Sequence, residues 1–188
     1  MSATTAALTV EQQLELSDAA ERAGSFLGAA KVAAFNGWST GFFGVVSILF
    51  GLVSPTSFLV GVGLAVVARN EFLGRTRLRS FDPSGLELLW RNQLGFMALI
   101  IVYCAWSLYG AIARPASEIA ELVELLGDGA GDLVRSLTLI LYGAVIVATA
   151  IFQGMNARYY HVRVGRVREY LRETPQWVVD RQRSAQVE

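Results

Sequence analysis

Polar side chains that could bind a ligand stand at the ends of four apolar segments of this chain. Carboxamides and a neighbouring charged pair at the edge of a membrane could hold a small molecule or a lipid headgroup. The candidate residues are Asn36, Arg69, Asn70, Glu71, Gln93, Gln153 and Asn156. The simpler interpretation, which we prefer at the level of sequence, is that they are helix ends at headgroup depth, hydrated by water.

Residues for other kinds of chemistry are scarce. His161 is the only histidine and Cys104 the only cysteine, so a multi-histidine metal centre, a CxxC site and an internal disulfide are excluded. No phosphate-binding loop or nucleophile elbow occurs. The acidic stretch 118–132 lacks the closing carboxylate of a calcium loop. We therefore expect no catalytic residue, metal or cofactor, and we lean against an enzyme.

The four apolar segments predict an integral membrane protein. They cover about residues 32–53, 57–72, 93–113 and 137–156 of a chain that is 53% hydrophobic. A helix of about 20 residues crosses the hydrocarbon of a bilayer. A soluble bundle would need charged stripes, yet the first and third segments contain no charged residue. The predicted fold is therefore an all-α, four-helix transmembrane bundle.

A weak internal repeat suggests how the four helices are arranged. Asn36 and Asn92 open the first and third segments, and Asn70 and Asn156 close the second and fourth. This spacing is compatible with two tandem helical hairpins of the same orientation. The segments flanking the transmembrane domain would be an N-terminal amphipathic helix, 1–31, and a basic tail, 157–188.

The distribution of arginine predicts the orientation. Five arginines lie in 69–91 and seven in 158–183, whereas the connection between the third and fourth segments has two arginines and five carboxylates. Positive charge favours the cytoplasmic side. We therefore expect a multi-pass protein of a bacterial inner membrane with both termini in the cytoplasm. The balanced total charge, 16 basic against 16 acidic residues, gives no field that would attract nucleic acid.

Three amphipathic helices are predicted outside the membrane. The first begins at Thr9 with a capping-box pattern and continues into the first span. The second covers about 115–126 in the outer connection. The third is the tail, which we expect to lie in the interface with its apolar side down; the alternative is a straight extension of the fourth span, held by a partner protein. Its apolar face comprises Tyr160, Val164, Val167 and Leu171, and Pro175 should end it.

Arginines beside the membrane are predicted to contact anionic lipids. They are Arg75, Arg77, Arg79, Arg158, Arg163, Arg166 and Arg168. Small residues in the first span are predicted to allow close helix packing. They are Gly37, Gly41, Gly44 and Gly51. We favour packing within the bundle, and the alternative is an interface with a second subunit.

Two functions follow from these patterns. Because no active site is marked, we favour a structural or interaction subunit of an inner-membrane assembly, in contact with anionic lipids and with another membrane protein or a second copy. The alternative is a protein that binds or transports a small molecule or lipid through the polar cluster. A coupled transporter is disfavoured because mid-membrane carboxylates and histidines are absent. A polar-lined cavity that reaches the inner face would favour the alternative, and a filled core would favour the subunit.

Overall fold

A computed structural model describes residues 8–113 and 130–186 of the chain, and these residues form helices and short turns without any strand. The helices are α1 (Val10–Phe50), α2 (Pro55–Arg79), α3 (Ser84–Ala113), α4 (Ala130–Glu173) and α5 (Gln176–Ala185). The first four are long and apolar enough to cross a membrane. The all-α four-helix bundle and the multi-pass membrane protein are thereby confirmed. The helix predicted at 115–126 lies outside the described residues.

α1 is one uninterrupted helix of 41 residues. Thr9 and Gln12 form the predicted capping box, with each side chain bonded to the other residue's backbone N–H. At about 1.5 Å per residue, the helix is about 60 Å long, roughly twice the hydrocarbon thickness of a bilayer. Its first half therefore extends beyond its own membrane span, as the sequence predicted.

The four long helices are joined as two hairpins placed side by side. α1 packs along α2, α3 packs along α4, and α2 packs against α3. α1 and α4 share far fewer contacts, so the ring of helices is open on that side. One end of the bundle contains residues 8–31, the α2–α3 turn and α5, and we call it the terminal end. The opposite end contains the α1–α2 turn, and we call it the far end.

Glycines of the first span let α1 and α2 approach each other closely. A Cβ atom at Gly44 would lie 3.3 Å from the Ala65 backbone nitrogen, and one at Gly41 would lie 3.6 Å from the Ala68 Cβ. A Cβ at Gly51 would meet Phe58 at 2.7 Å. The glycine stripe therefore faces α2 inside this chain.

Most of the buried apolar side chains lie at the terminal end, beyond the membrane spans. Phe26 of α1 is completely buried, and its ring centroid lies 5.9 Å from that of Phe81 and 5.4 Å from that of Tyr170. Phe81 adopts a left-handed conformation, φ 59°, in the α2–α3 turn, which directs its ring into this core. Small residues of α1 complete the packing: Ala19, Ala23, Ala29, Ala30 and Ala33.

The prediction that the tail lies in the interface with its apolar side down is wrong. α4 runs straight through from its span to Glu173, where Thr174 and Pro175 end it as predicted. Tyr160 and Val167 are completely buried in the terminal core, together with residues of α1. The N-terminal half of α1 has its own apolar stripe, and packing the two stripes together removes both from water.

α5 was not predicted, and it folds back across the terminal end. Val178 and Val179 are buried in the core. Arg79 donates to the backbone carbonyl of Gln186 at 2.7 Å, and the Arg183 Nε atom donates to that of Ser80 at 3.1 Å. The end of the chain is thus fastened to the α2–α3 turn.

Candidate functional site

A completely buried carboxylate, Glu71, lies where the two hairpins meet. It belongs to the buried stripe of α2, in register with Leu64, Val67 and Leu78 at helical spacing. Gly37 of α1 faces it, because a Cβ at that position would lie 3.2 Å from the Glu71 Cβ. The absence of a side chain at Gly37 lets α1 cover the carboxylate.

Two carboxamides of α3 solvate one oxygen of this carboxylate. The Asn92 Nδ2 atom donates to Glu71 Oε1 at 2.8 Å, and the Gln93 Nε2 atom donates to the same oxygen at 2.7 Å. Asn92 also donates to the Val67 carbonyl at 3.0 Å and accepts from Asn70 Nδ2 at 3.1 Å. Hydrogen bonds of this kind replace the water that a buried polar group has lost. They tie α2 to α3 at the level of Glu71.

Tyr160 of α4 lies on the other side of the Glu71 carboxylate. Its hydroxyl adjoins the Glu71 carboxylate. The Asn36 Nδ2 atom of α1 donates to the Tyr160 hydroxyl oxygen at 3.2 Å. All four long helices therefore contribute a polar side chain to one buried layer.

A cavity of about 440 Å³ lies next to this layer, where α1 and α4 part. This volume falls within the range of about 300–1,000 Å³ that small-molecule sites occupy. Residues of all four long helices line it. They are Asn36, Ser39, Thr40, Phe43, Ser47, Leu64, Gln93, Phe96, Ile100, Gln153 and Asn156.

The lining changes from polar to apolar along the bundle. Carboxamides form the end nearest Glu71, and we call these four residues the polar floor: Asn36, Gln93, Gln153 and Asn156. Towards the far end, the larger wall residues are apolar, Phe43, Leu64, Phe96 and Ile100, and α1 adds the hydroxyl groups of Ser39, Thr40 and Ser47. From Asn36 to Ser47 the wall of α1 extends over eleven residues, about 16 Å of helix. The cavity is thus amphipathic along its length.

Some buried acceptor oxygens at the polar floor have no hydrogen-bond donor among the described residues. They are Gln93 Oε1 and Gln153 Oε1. An unpaired buried acceptor costs about 1–3 kcal/mol, and such groups are uncommon in folded proteins. Gln93 and Gln153 both line the cavity, so a molecule inside it could donate to them.

The residues predicted as a polar cluster divide into three groups. Asn36, Gln93, Gln153 and Asn156 line the cavity, whereas Asn70 and Glu71 lie beside it in the hydrogen-bonded layer. Arg69 is exposed and does not join them. The preferred interpretation of hydrated helix ends is wrong for Glu71 and Gln93, which are 0% and 1% exposed because other helices cover them.

Two members of the layer were missed as site residues. Asn92 was considered only as part of a repeat, and Tyr160 only as part of an apolar face. A usable signal was the position of Glu71 on the same helical stripe as Leu64, Val67 and Leu78, because a carboxylate on a buried stripe needs partners from neighbouring helices.

The arginines predicted to contact lipid all lie at the terminal end, and their lipid contacts stay a prediction. Arg168 forms an ion pair with Glu87, and the Arg163 guanidinium lies 3.5 Å from the Tyr159 ring centroid. The most exposed members face outward on α2 and α4: Arg77, Arg158 and Arg166. Arg75 is half-buried beside Arg79 and Lys31 in a surface groove.

No protein-family model, curated protein or solved structure matches this chain. Function therefore follows from the geometry of the cavity and its polar floor. The arrangement suits binding: carboxamides and a buried carboxylate at one end can orient a polar group, while the aromatic and aliphatic walls can cover an apolar one.

Proposed function

We propose that this chain is a membrane protein that binds an amphipathic small molecule or lipid in the cavity between α1 and α4. The polar end of the ligand would lie on the polar floor, and its apolar part would lie against Phe43, Leu64 and Phe96. The observation that carries the proposal is the polar-to-apolar gradient of the cavity, together with unpaired acceptor oxygens at its polar end. A filled bundle core would have favoured a purely structural subunit.

The membrane and its orientation belong to the same proposal. Arginines cluster at the terminal end, on the last turns of α2 and on the last part of α4. This supports a bacterial inner membrane with the terminal end in the cytoplasm. The polar floor would then lie near the cytoplasmic headgroups, and the apolar walls would extend toward the middle of the bilayer.

A variant that fills the cavity tests the proposal. Ser39 is half-buried on its wall, so Ser39→Trp should occupy ligand space. Val45→Trp is the matched control, since Val45 of the same helix is 59% exposed. After gentle detergent extraction, co-purifying lipids and small molecules are identified by mass spectrometry. We expect one enriched amphiphile with the wild type and with Val45→Trp, and its loss from Ser39→Trp. An unchanged amphiphile in Ser39→Trp would refute binding in this cavity.

A second candidate, a structural or interaction subunit, is favoured by a different observation. In the most apolar 18-residue windows of α3 and α4, 6% and 0% of the residues are buried, against 22% and 33% for α1 and α2. Such sparsely covered spans could pack against another membrane protein. The same extraction tests this: a protein that co-purifies stoichiometrically with the wild type and is lost from Val147→Trp, on the exposed face of α4, would support it.

A further inference from the structure

The orientation of Gln93 is fixed by the buried carboxylate behind it. Asn92 and Gln93 both donate their NH₂ groups to the same oxygen of Glu71, so the carboxyl group sets the orientation of both amides. Asn92 Oδ1 then accepts from Asn70. Gln93 Oε1 points away from Glu71 and has no donor among the described residues, and Gln93 lines the cavity. This oxygen exposes almost no surface, so a ligand in the cavity would reach it after a small shift of the Gln93 side chain.

Glu71 also lacks a cationic partner. No arginine, lysine or histidine in the described part of the chain forms an ion pair with it. A carboxyl group buried near membrane depth without a cation is a candidate ligand site, because a cation supplied by a ligand would stabilise its ionised form. The neighbouring groups that face Glu71 are neutral: Asn92, Gln93 and Tyr160.

A hydrogen-bond chain connects this carboxylate to the cavity. Glu71 accepts from the Gln93 NH₂ group at 2.7 Å, and the carbonyl oxygen of the same amide has no donor among the described residues. Donation to a carboxylate polarises an amide and strengthens its carbonyl as an acceptor. The Gln153 Oε1 atom, on α4, provides another acceptor at this end of the cavity.

From this geometry we propose that the polar end of the ligand is a primary ammonium group. It donates to Gln93 Oε1 and Gln153 Oε1. The negative charge of Glu71, which is hydrogen-bonded to Gln93, balances its positive charge. This rests on the proposed function and specifies its ligand. A primary ammonium has hydrogen-bond donors and no acceptor, which matches unpaired acceptors beside a negative charge. A headgroup that ends in a phosphate or a carboxylate would instead place its acceptor oxygens against those of Gln93 and Gln153. The ammonium could belong to an aminophospholipid or to a free long-chain amine.

Matched ligand pairs test the inference on the full-length protein in mild detergent. Phosphatidylethanolamine is compared with phosphatidylcholine of the same acyl chains, and dodecylamine with dodecyltrimethylammonium. Within each pair, trimethylation keeps the charge and removes the N–H donors. We expect the primary amine to bind at least about tenfold more tightly, the lower value for one charge-assisted hydrogen bond. Binding is measured by native mass spectrometry. A preference within the phospholipid pair, with or without one in the dodecyl pair, identifies a lipid headgroup, and a preference within the dodecyl pair alone identifies a free amine.

Glu71→Gln distinguishes this mechanism from non-specific binding of amphiphiles. The amide has nearly the same shape, so the fold is kept, and Glu71 contacts the ligand only through Gln93. The preference for the primary amine should fall to about twofold or less, and the trimethylated member, which carries the same positive charge, should also bind more weakly but by a smaller factor. Glu87→Gln is the matched control, because the Glu87 carboxylate is partly exposed and forms an ion pair with Arg168. It should keep the full preference.

Several outcomes would overturn the inference. Equal binding within both pairs would mean that the polar floor does not recognise N–H donors, and an undiminished preference in Glu71→Gln would mean that the carboxylate plays no part. If Glu71→Gln does not fold, Gln153→Leu replaces it, and a preference that survives Gln153→Leu in full counts against the site. Loss of all amphiphiles from Ser39→Trp without any preference for amines would leave the proposed function standing and reject only the ammonium.

Discussion

The substitution Gly44→Leu should weaken the bundle, because α1 and α2 touch at this residue. A Cβ at Gly44 would already lie 3.3 Å from both the Ala65 nitrogen and the Leu64 Cβ, and 3.4 Å from the Gly61 carbonyl oxygen. A leucine adds three more carbons with no space for them. Overpacking of this kind costs about 1–3 kcal/mol, and replacing a helical glycine returns up to about 1 kcal/mol. We expect the free energy of unfolding to fall by about 1–2 kcal/mol.

Gly24→Leu is the matched control in the same helix. A Cβ at Gly24 would meet nothing within 4 Å, so only the gain in helix propensity remains, about 0.5–1 kcal/mol of stabilisation. Both variants are unfolded by denaturant in mild detergent and followed by far-ultraviolet circular dichroism. The two substitutions should shift the transition in opposite directions. If Gly44→Leu unfolds like the wild type but dissociates an oligomer, the glycine stripe faces another subunit and our assignment of it to α2 is refuted.

Other predictions address the orientation, the terminal core and the surface charges. In a Cys104→Ala background, cysteines at Ser80 and Ala185 should be shielded from an impermeant thiol reagent in intact cells, and one at Gly129 should react; the reverse pattern would invert the topology. Phe26→Ala should destabilise the protein by about 3–5 kcal/mol in denaturant unfolding, since Phe26 is completely buried between Phe81 and Tyr170. A loss below about 1 kcal/mol would show that α1 and the tail are not packed together. Arg168→Ala should change stability by only about 0–1 kcal/mol, because its ion pair with Glu87 is largely exposed; a larger loss would show that the pair is shielded from water.

The elements that could be predicted from the sequence are those that depend on local physics. Long segments without charge must cross the bilayer as helices, whatever they contact, and the Thr9 capping box specifies where α1 begins. Pro175 ends α4 because it cannot continue a helix. These features need no knowledge of neighbouring helices, and the structure confirms them.

What the sequence left open depends on which helix faces meet. The apolar stripe of the tail fits a membrane surface or a protein surface equally well, and only the position of Phe26 shows that α1 covers it. Likewise, Glu71 stands one residue from the end of a predicted span, where hydration and burial are both plausible. Glu71 is buried because α1 approaches it closely at Gly37 and because the amides of Asn92 and Gln93 bond to it. These groups belong to two other helices, so the sequence around Glu71 does not reveal them.

Photo-crosslinking from inside the cavity tests the central claim, selective binding of an amphiphile, most directly. A benzophenone amino acid replaces Phe96, on the cavity wall, and in a second variant Val102, which is 68% exposed on the same helix. After illumination in native membranes, the attached molecules are identified by mass spectrometry. The probe at 102 should capture lipids in proportion to their abundance, and the probe at 96 should capture one species far above its abundance. If both positions capture the same bulk mixture, the cavity selects nothing and the proposed function is contradicted.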